Sequence, residues 1–187
     1  MSKKRTVPVR DKRCRLDLEL FALALVQRDV NTPYRLLSAA GLSQGATLPV
    51  LNRLESSGYV HRGEPGSRGR TEFKITAAGR RHLQAGWRPL LESPISGDIE
   101  TTLRTASLAV LSGADRKIVT AYLKNAASAK ATESKNRKAE AKQAKAALGD
   151  EPDGGLYSWM LAMQATTRLA AEAKLLRQLA AELPKRS

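Results

Sequence analysis

The stretch LSQGATLPVLNRLESSGYVHRGEPGSRGRTEFKITAAGRRHL, residues 42–83, decides the fold. Ser43 can cap a helix that runs to Ser57 and is stopped by Gly58. Its apolar residues recur at helical spacing, so Thr47, Leu51 and Leu54 face inward, and Gln44, Leu48, Asn52 and Glu55 face outward. Tyr59, Val60 and His61 begin a strand, EPGSRGR makes a turn, and Glu72-Phe73-Lys74-Ile75 returns with period-two alternation. Thr76 then caps a helix that continues through Trp87 to Leu91.

Working outward, Asn31 or Thr32 caps the preceding helix, with Pro33 at its first position, where no amide is needed, and Gly41 at its end. Before it, Leu16, Leu18, Leu20, Phe21, Leu23, Ala24 and Leu25 form a short helix that is apolar nearly all round, hence buried. Residues 1–15 carry seven Lys/Arg and no hydrophobic period, which predicts a flexible basic arm, either a solvated tail or a groove-tracking one. Downstream, Pro94 and Gly97 mark a hinge over residues 92–98.

The rest reads as helix. Leu103, Ala106, Leu108 and Leu111 mark a short one, and Ser112 with Asp115 resembles a capping box for a long one over residues 113–148. The long helix has an apolar face of Ile118, Val119, Tyr122, Leu123 and Ala126. GDEPDGG breaks it, and a last helix spans residues 155–183, with Trp159, Met163, Ala173 and Ala180 on its apolar side. There Leu169, Leu176 and Leu183 repeat every seven residues, the spacing of a helix–helix seam. Two such helices form an antiparallel hairpin whose thin seam calls for a second copy.

The expected fold is therefore mainly α. It comprises a basic arm over 1–15, a winged helix-turn-helix with a two-stranded wing over 16–92, and a C-terminal α-helical dimerisation hairpin over 98–187. A winged helix offers one helix to a groove of duplex DNA while the hairpin tip reaches for neighbouring phosphates.

Composition agrees with a polyanionic partner. The 187 residues hold 32 Lys/Arg against 18 Asp/Glu, a net charge of +14 and a pI near 10.3. Both halves share the excess, with 17 basic and 8 acidic side chains in residues 1–92 and 15 and 10 in residues 93–187. The single cysteine, Cys14, allows no internal disulfide and fits a reducing cytoplasm, where the chain would be associated with the bacterial nucleoid. No secretory signal or membrane-length apolar run is present. With His61 and His82 the only histidines, no metal-ligand spacing, catalytic constellation or phosphate-cradling Gly-Lys-Ser/Thr loop is found, so neither an enzyme nor a cofactor or metal is expected.

In order, LELFALALV, TPYRLL, GATLPVLNRLESSGYV and RGRTEFKITAAGRRHL resemble the PadR family of bacterial winged-helix transcriptional regulators. The resemblance covers residues 16–91; the long hairpin is similar to the larger PadR subgroup in architecture. Regulators of the MarR type share the wing plan but match the Gly45-to-Pro49 spacing less well. Two positions depart from the family pattern: Pro33 stands where a glycine usually precedes the tyrosine, and Leu48 where an aromatic usually precedes the proline.

The candidate DNA-binding residues are Tyr34, Ser43, Gln44, Leu48, Asn52, Arg53, Arg68 and Arg70. Gln44 in the first turn can bond an adenine through its amide. Ser43 combines cap and phosphate contact, because a helix N-terminus attracts anions. Asn52 meets either a base edge or a phosphate; Arg53 either a phosphate or an intramolecular partner. Leu48 either packs on a thymine methyl or is turned into the core by Pro49. Arg68 and Arg70, at a tip loosened by Gly66 and Gly69, reach phosphates or a narrow minor groove. Tyr34 donates its hydroxyl to a phosphate or packs.

Dimerisation is expected through Tyr122, Leu123, Trp159, Leu169, Leu176 and Leu183. Trp87 and Trp159 are core residues or, as the family resemblance implies, a stack for a small aromatic effector. Lys135, Lys138, Lys142 and Lys145 form one stripe, either a solvated face or a contact to flanking DNA or an acidic partner. The implied function is that of a homodimeric, sequence-specific regulator, a repressor on a pseudo-palindromic operator. The alternative is a duplex-organising or protein-interaction factor with little sequence preference.

Overall fold

A computed structural model describes residues 9–64, 71–92, 98–148 and 155–183, with the side chains of 9–16, Ala39 and Gln44 outside the description. The protein is mainly helical, with one small antiparallel sheet and a C-terminal pair of long helices. It divides into two compact units, Met1–Pro94 with Leu103–Ala114, and Ile95–Thr102 with Asp115–Ser187.

The first unit opens with helix α1, Val9–Val26. Of the flexible arm expected over 1–15, residues 9–15 are instead helical, and residues 1–8 lie outside the described residues. Charged side chains did not stop the helix, because Val9 to Leu16 contains neither Pro nor Gly. Helix α2, Pro33–Ala40, is capped by Thr32, whose Oγ1 accepts from the Arg35 amide at 3.2 Å; Gly41 closes it at φ 62°. Helix α3, Gln44–Ser56, is capped by Ser43, whose Oγ accepts from the Ala46 amide at 3.2 Å.

Strands β1, Val60–Arg62, and β2, Phe73–Ile75, pair antiparallel with Val60 opposite Ile75 and Arg62 opposite Phe73. Helix α4, Ala77–Glu92, follows. Its start explains the three-residue spacing of Thr76 and Gly79. Thr76 Oγ1 accepts from the Gly79 amide at 3.0 Å and donates to the Gly58 carbonyl at 2.7 Å, so one hydroxyl caps α4 and ties it to the end of α3. Gly79 lies so close to the Tyr59 carbonyl that no side chain fits between them. The core gathers Leu20 and Leu23 of α1, Leu36 of α2, Val50, Leu51 and Leu54 of α3, Phe73 of β2, and Leu83 of α4, all buried.

Helix α5, Ile99–Leu111, starts earlier than its leucines suggest, because Asp98 caps it by accepting from the Glu100 and Thr101 amides, each at 3.1 Å. Its segment from Leu103 belongs to the first unit, where Leu108 is buried and the Leu111 carbonyl accepts from the Arg28 guanidinium at 3.0 Å. Residues 103–114 thus lie in the first unit and Ile95–Thr102 in the second.

The second unit is built on helices α6, Arg116–Ala146, and α7, Gly155–Glu182. They run antiparallel. Contacts pair Arg116 with Ala181, Lys130 with Glu172, Ser134 with Thr166, and Lys145 with Trp159, one index rising as the other falls. Asp115 itself caps α6, accepting from the Lys117 amide at 2.6 Å. The expected Ser112–Asp115 box does not form, since Asp115 serves as the cap rather than as the partner three residues after it.

The seam contains Val119, Tyr122, Leu123, Ala126 and Ala127 on α6 and Leu169, Ala173, Leu176 and Ala180 on α7, all buried. Four of the residues expected at a dimer interface lie in this seam. Tyr122, Leu123, Leu169 and Leu176 are consumed inside one chain, because a heptad seam is satisfied by whichever helix packs on it first. Leu183 is half-buried, and Ile118, expected on the apolar face, is 50% exposed.

Candidate nucleic-acid interface

The outward side of α3 is where chemistry is displayed. Val50, Leu51 and Leu54 are buried, as is Thr47, whose hydroxyl donates to the Ser43 carbonyl at 2.8 Å. With that face fixed inward, Leu48 is left outside, 50% exposed. The inward turn considered for Pro49 does not occur. Pro49 lacks the amide that would reach the Gly45 carbonyl, but it sits exposed on the helix and leaves the core face undisturbed.

A groove of about 800 Å³ lies between the start of α2, the flank of α3 and the β1–β2 hairpin. Tyr34, Arg35, Leu48, Arg62, Glu72 and Phe73 are among its walls. Its edges are pinned by backbone, since the Phe73 amide donates to the Asn31 carbonyl at 2.8 Å and holds β2 against the entry to α2. Tyr34, 76% exposed, stands on one wall with Leu48 on the other, and the two also share a smaller pocket of about 340 Å³ with Pro33, Leu37 and Thr47.

The basic side chains here are held in place. Arg62 donates to Glu55 Oε2 at 2.9 Å and to Asn52 Oδ1 at 3.3 Å, with its guanidinium carbon 5.3 Å from the Phe73 ring centroid. The Arg35 guanidinium donates to the Asp29 carbonyl at 2.8 Å. Each fork retains N–H donors beyond these bonds.

The structure therefore brings Tyr34, Leu48 and Asn52 to the same side of the first unit, with Ser43 exposed at the head of α3. Arg53 goes elsewhere. Its Nε donates to Glu19 Oε1 at 2.6 Å, so of the two partners considered for it the intramolecular one is present, with the side chain 46% exposed. The Gln44 side chain, and Arg68 and Arg70 at the hairpin tip, lie outside the described residues. Sequence reading missed Arg35 and Arg62. The signal for Arg62 was available, because the strand pairing that places it opposite Phe73 also turns it toward the acidic end of α3.

The tryptophans differ from each other. Trp87, in the first unit, is buried, and its Nε1 makes no hydrogen bond; the Arg88 guanidinium carbon lies 5.3 Å from its ring centroid. Trp159, in the second, is half-buried, with the Lys145 ammonium 5.9 Å from its ring centroid. Lys135, Lys138, Lys142 and Lys145 are all exposed. Among the described residues, no group of three His, Cys, Asp or Glu side chains is placed to hold a metal, and no helix is long and apolar enough to cross a membrane.

No protein-family model matches the chain, and a search of curated proteins finds no similar one.

Proposed function

We propose that the protein is a sequence-specific DNA-binding transcriptional regulator with a winged-helix reading head, of the PadR type, acting as a homodimeric repressor. One observation carries the reading: a Ser-capped helix whose first eight residues are uncharged presents a partly apolar outer face directly beside a two-stranded hairpin. The connection of that hairpin, residues 65–70, holds two arginines and two glycines. A helix of this kind enters the major groove while the hairpin tip meets the phosphates alongside. The net charge of +14 supplies the non-specific attraction that such a head needs.

Self-association follows from the surface of α7. Leu156, Tyr157, Met160, Leu161 and Met163 are exposed within its first three turns, more apolar surface than a lone helix keeps in water. A second copy packed there would set two heads on a pseudo-palindromic operator in the cytoplasm. Half-buried Trp159 lies within the same stretch, where a flat aromatic effector would be sought.

Competition tests the reading. Duplexes enriched from a random library by the full chain should out-compete unrelated DNA by at least ~10³ at physiological salt. Binding displaced equally by any duplex would instead make the protein a DNA-organising factor.

A further inference from the structure

Among the described residues of the first unit, two large apolar side chains are exposed, Tyr34 and Leu48, and both line the same groove. Their neighbours reinforce the pattern. The first eight residues of α3, QGATLPVL, carry no charge, and a Cβ built on Gly45 would meet nothing within 4 Å. Arg35, Arg62 and Glu72 stand on the walls of the larger groove, with Arg62 bound to Glu55 and Arg35 to the Asp29 carbonyl, but no charged residue lines the smaller pocket that Tyr34 and Leu48 share. What remains is an apolar lip with a shallow pocket, walled by Pro33, Tyr34, Leu37, Thr47 and Leu48. Apart from the Tyr34 hydroxyl, this lip offers a phosphate no exposed side-chain donor. In the major groove, the base-edge group that matches it is the 5-methyl of a pyrimidine, which projects from the edge and loses water on contact.

We propose that the Tyr34–Leu48 lip recognises a 5-methylpyrimidine in each half-site, so that base choice at this position rests on apolar contact rather than on a hydrogen bond. The inference depends on the DNA-binding reading above and specifies the chemistry it recognises. Two sources present this methyl: thymine, and cytosine methylated at C5. They differ at position 4, where thymine offers an acceptor and cytosine a donor. Leu48 itself has no polar atom in its side chain and cannot tell these apart, so the methyl is the feature it reads.

The experiment uses the full chain and duplexes enriched from a random library. Each thymine of an enriched duplex is replaced in turn by deoxyuridine, which removes the methyl alone, and each cytosine in turn by 5-methylcytosine. The expected result is a loss of about fivefold in affinity at one thymine per half-site, or an equal gain at one cytosine. That corresponds to ~1 kcal/mol for a buried methyl at tenfold per 1.4 kcal/mol. Leu48→Ala, a change at an exposed position, should bind the methylated and unmethylated duplexes equally, as should Tyr34→Ala in large part.

A loss on deoxyuridine substitution identifies thymine as the source; a gain on cytosine methylation identifies 5-methylcytosine. Specific binding that ignores every substitution overturns the methyl inference and leaves the regulator reading standing. The same holds for a methyl effect that persists in Leu48→Ala. Failure to enrich any duplex overturns both.

Discussion

Arg53 and Glu19 join α3 to α1 through a hydrogen-bonded ion pair of 2.6 Å, so the arginine beside the exposed face of α3 is a strut of the fold. Because its side chain is 46% exposed, the pair is worth only about 0.5 kcal/mol, at the level of surface ion pairs. Salt titration of DNA binding should separate it from the hairpin arginines. Arg53→Gln is expected to leave the slope of log K against log salt unchanged. Arg68→Ala and Arg70→Ala should each reduce it by about 0.9. A lowered slope for Arg53→Gln would place that residue among the DNA contacts.

Gly79 cannot be replaced without moving backbone. A Cβ there runs into the Tyr59 carbonyl and comes within 2.9 Å of Ile75 Cγ1. Gly79→Ala would favour the helix by propensity, yet it should destabilise the first unit by about 2 kcal/mol through overpacking. Chemical denaturation of the full chain, followed by a probe in that unit, measures the difference. A neutral or stabilising alanine would mean that α4 can slide off the end of β1.

Within the α6–α7 seam, Lys130 is 2% exposed and its ammonium lies 2.5 Å from Glu172 Oε2, while Ser134 donates to the Thr166 carbonyl at 3.0 Å. Removing one partner of a buried pair strands the other charge. Lys130→Met should therefore cost about 3 kcal/mol, and adding Glu172→Leu should recover most of it. The recovered double variant is informative in its own right. If the pair sets the alignment of the two helices, the doubly apolar seam should be stable but less well ordered, visible as broadened amide resonances. Equal destabilisation in both variants would remove the stranded-charge account.

For self-association, the surface residues of α7 and its seam residues should behave oppositely. Leu161→Glu, at an exposed position, is expected to keep the helical signal and convert dimers to monomers. Leu176→Glu, at a fully buried one, should unfold the hairpin. Sedimentation alongside circular dichroism distinguishes the two. A Leu161→Glu variant that remains dimeric places the interface off this face.

Where local chemistry dictated structure, it could be read in advance. Thr32 and Ser43 cap as their hydroxyls require, Gly41 and Gly58 end helices at positive φ, and Thr47, Leu51 and Leu54 turn inward together. What escaped were choices between partners. The heptad of Leu169 and Leu176 marks a seam without saying whether the other half comes from the same chain. Asp115 could as well have been the far member of a capping box as the cap. Arg53 found Glu19, 34 residues away, a contact that no periodicity encodes. Nothing local marks Lys130 for burial, because that burial depends on Glu172 approaching from α7.

The division of α5 between the two units bears on how such a chain can be inherited. Residues up to Thr102 belong with the long hairpin, while Leu103–Ala114 belong with the first unit, to which the Leu111 carbonyl is tied by Arg28. A gene fusion that exchanged heads at the Pro/Gly-containing segment 93–97 would separate Leu108 from the core it completes. A crossover just before Asp115, at the cap of α6, would keep Leu108 with its core but take residues 95–102 from the unit of the long hairpin. No single crossover leaves both units whole, so the two would be expected to be inherited together.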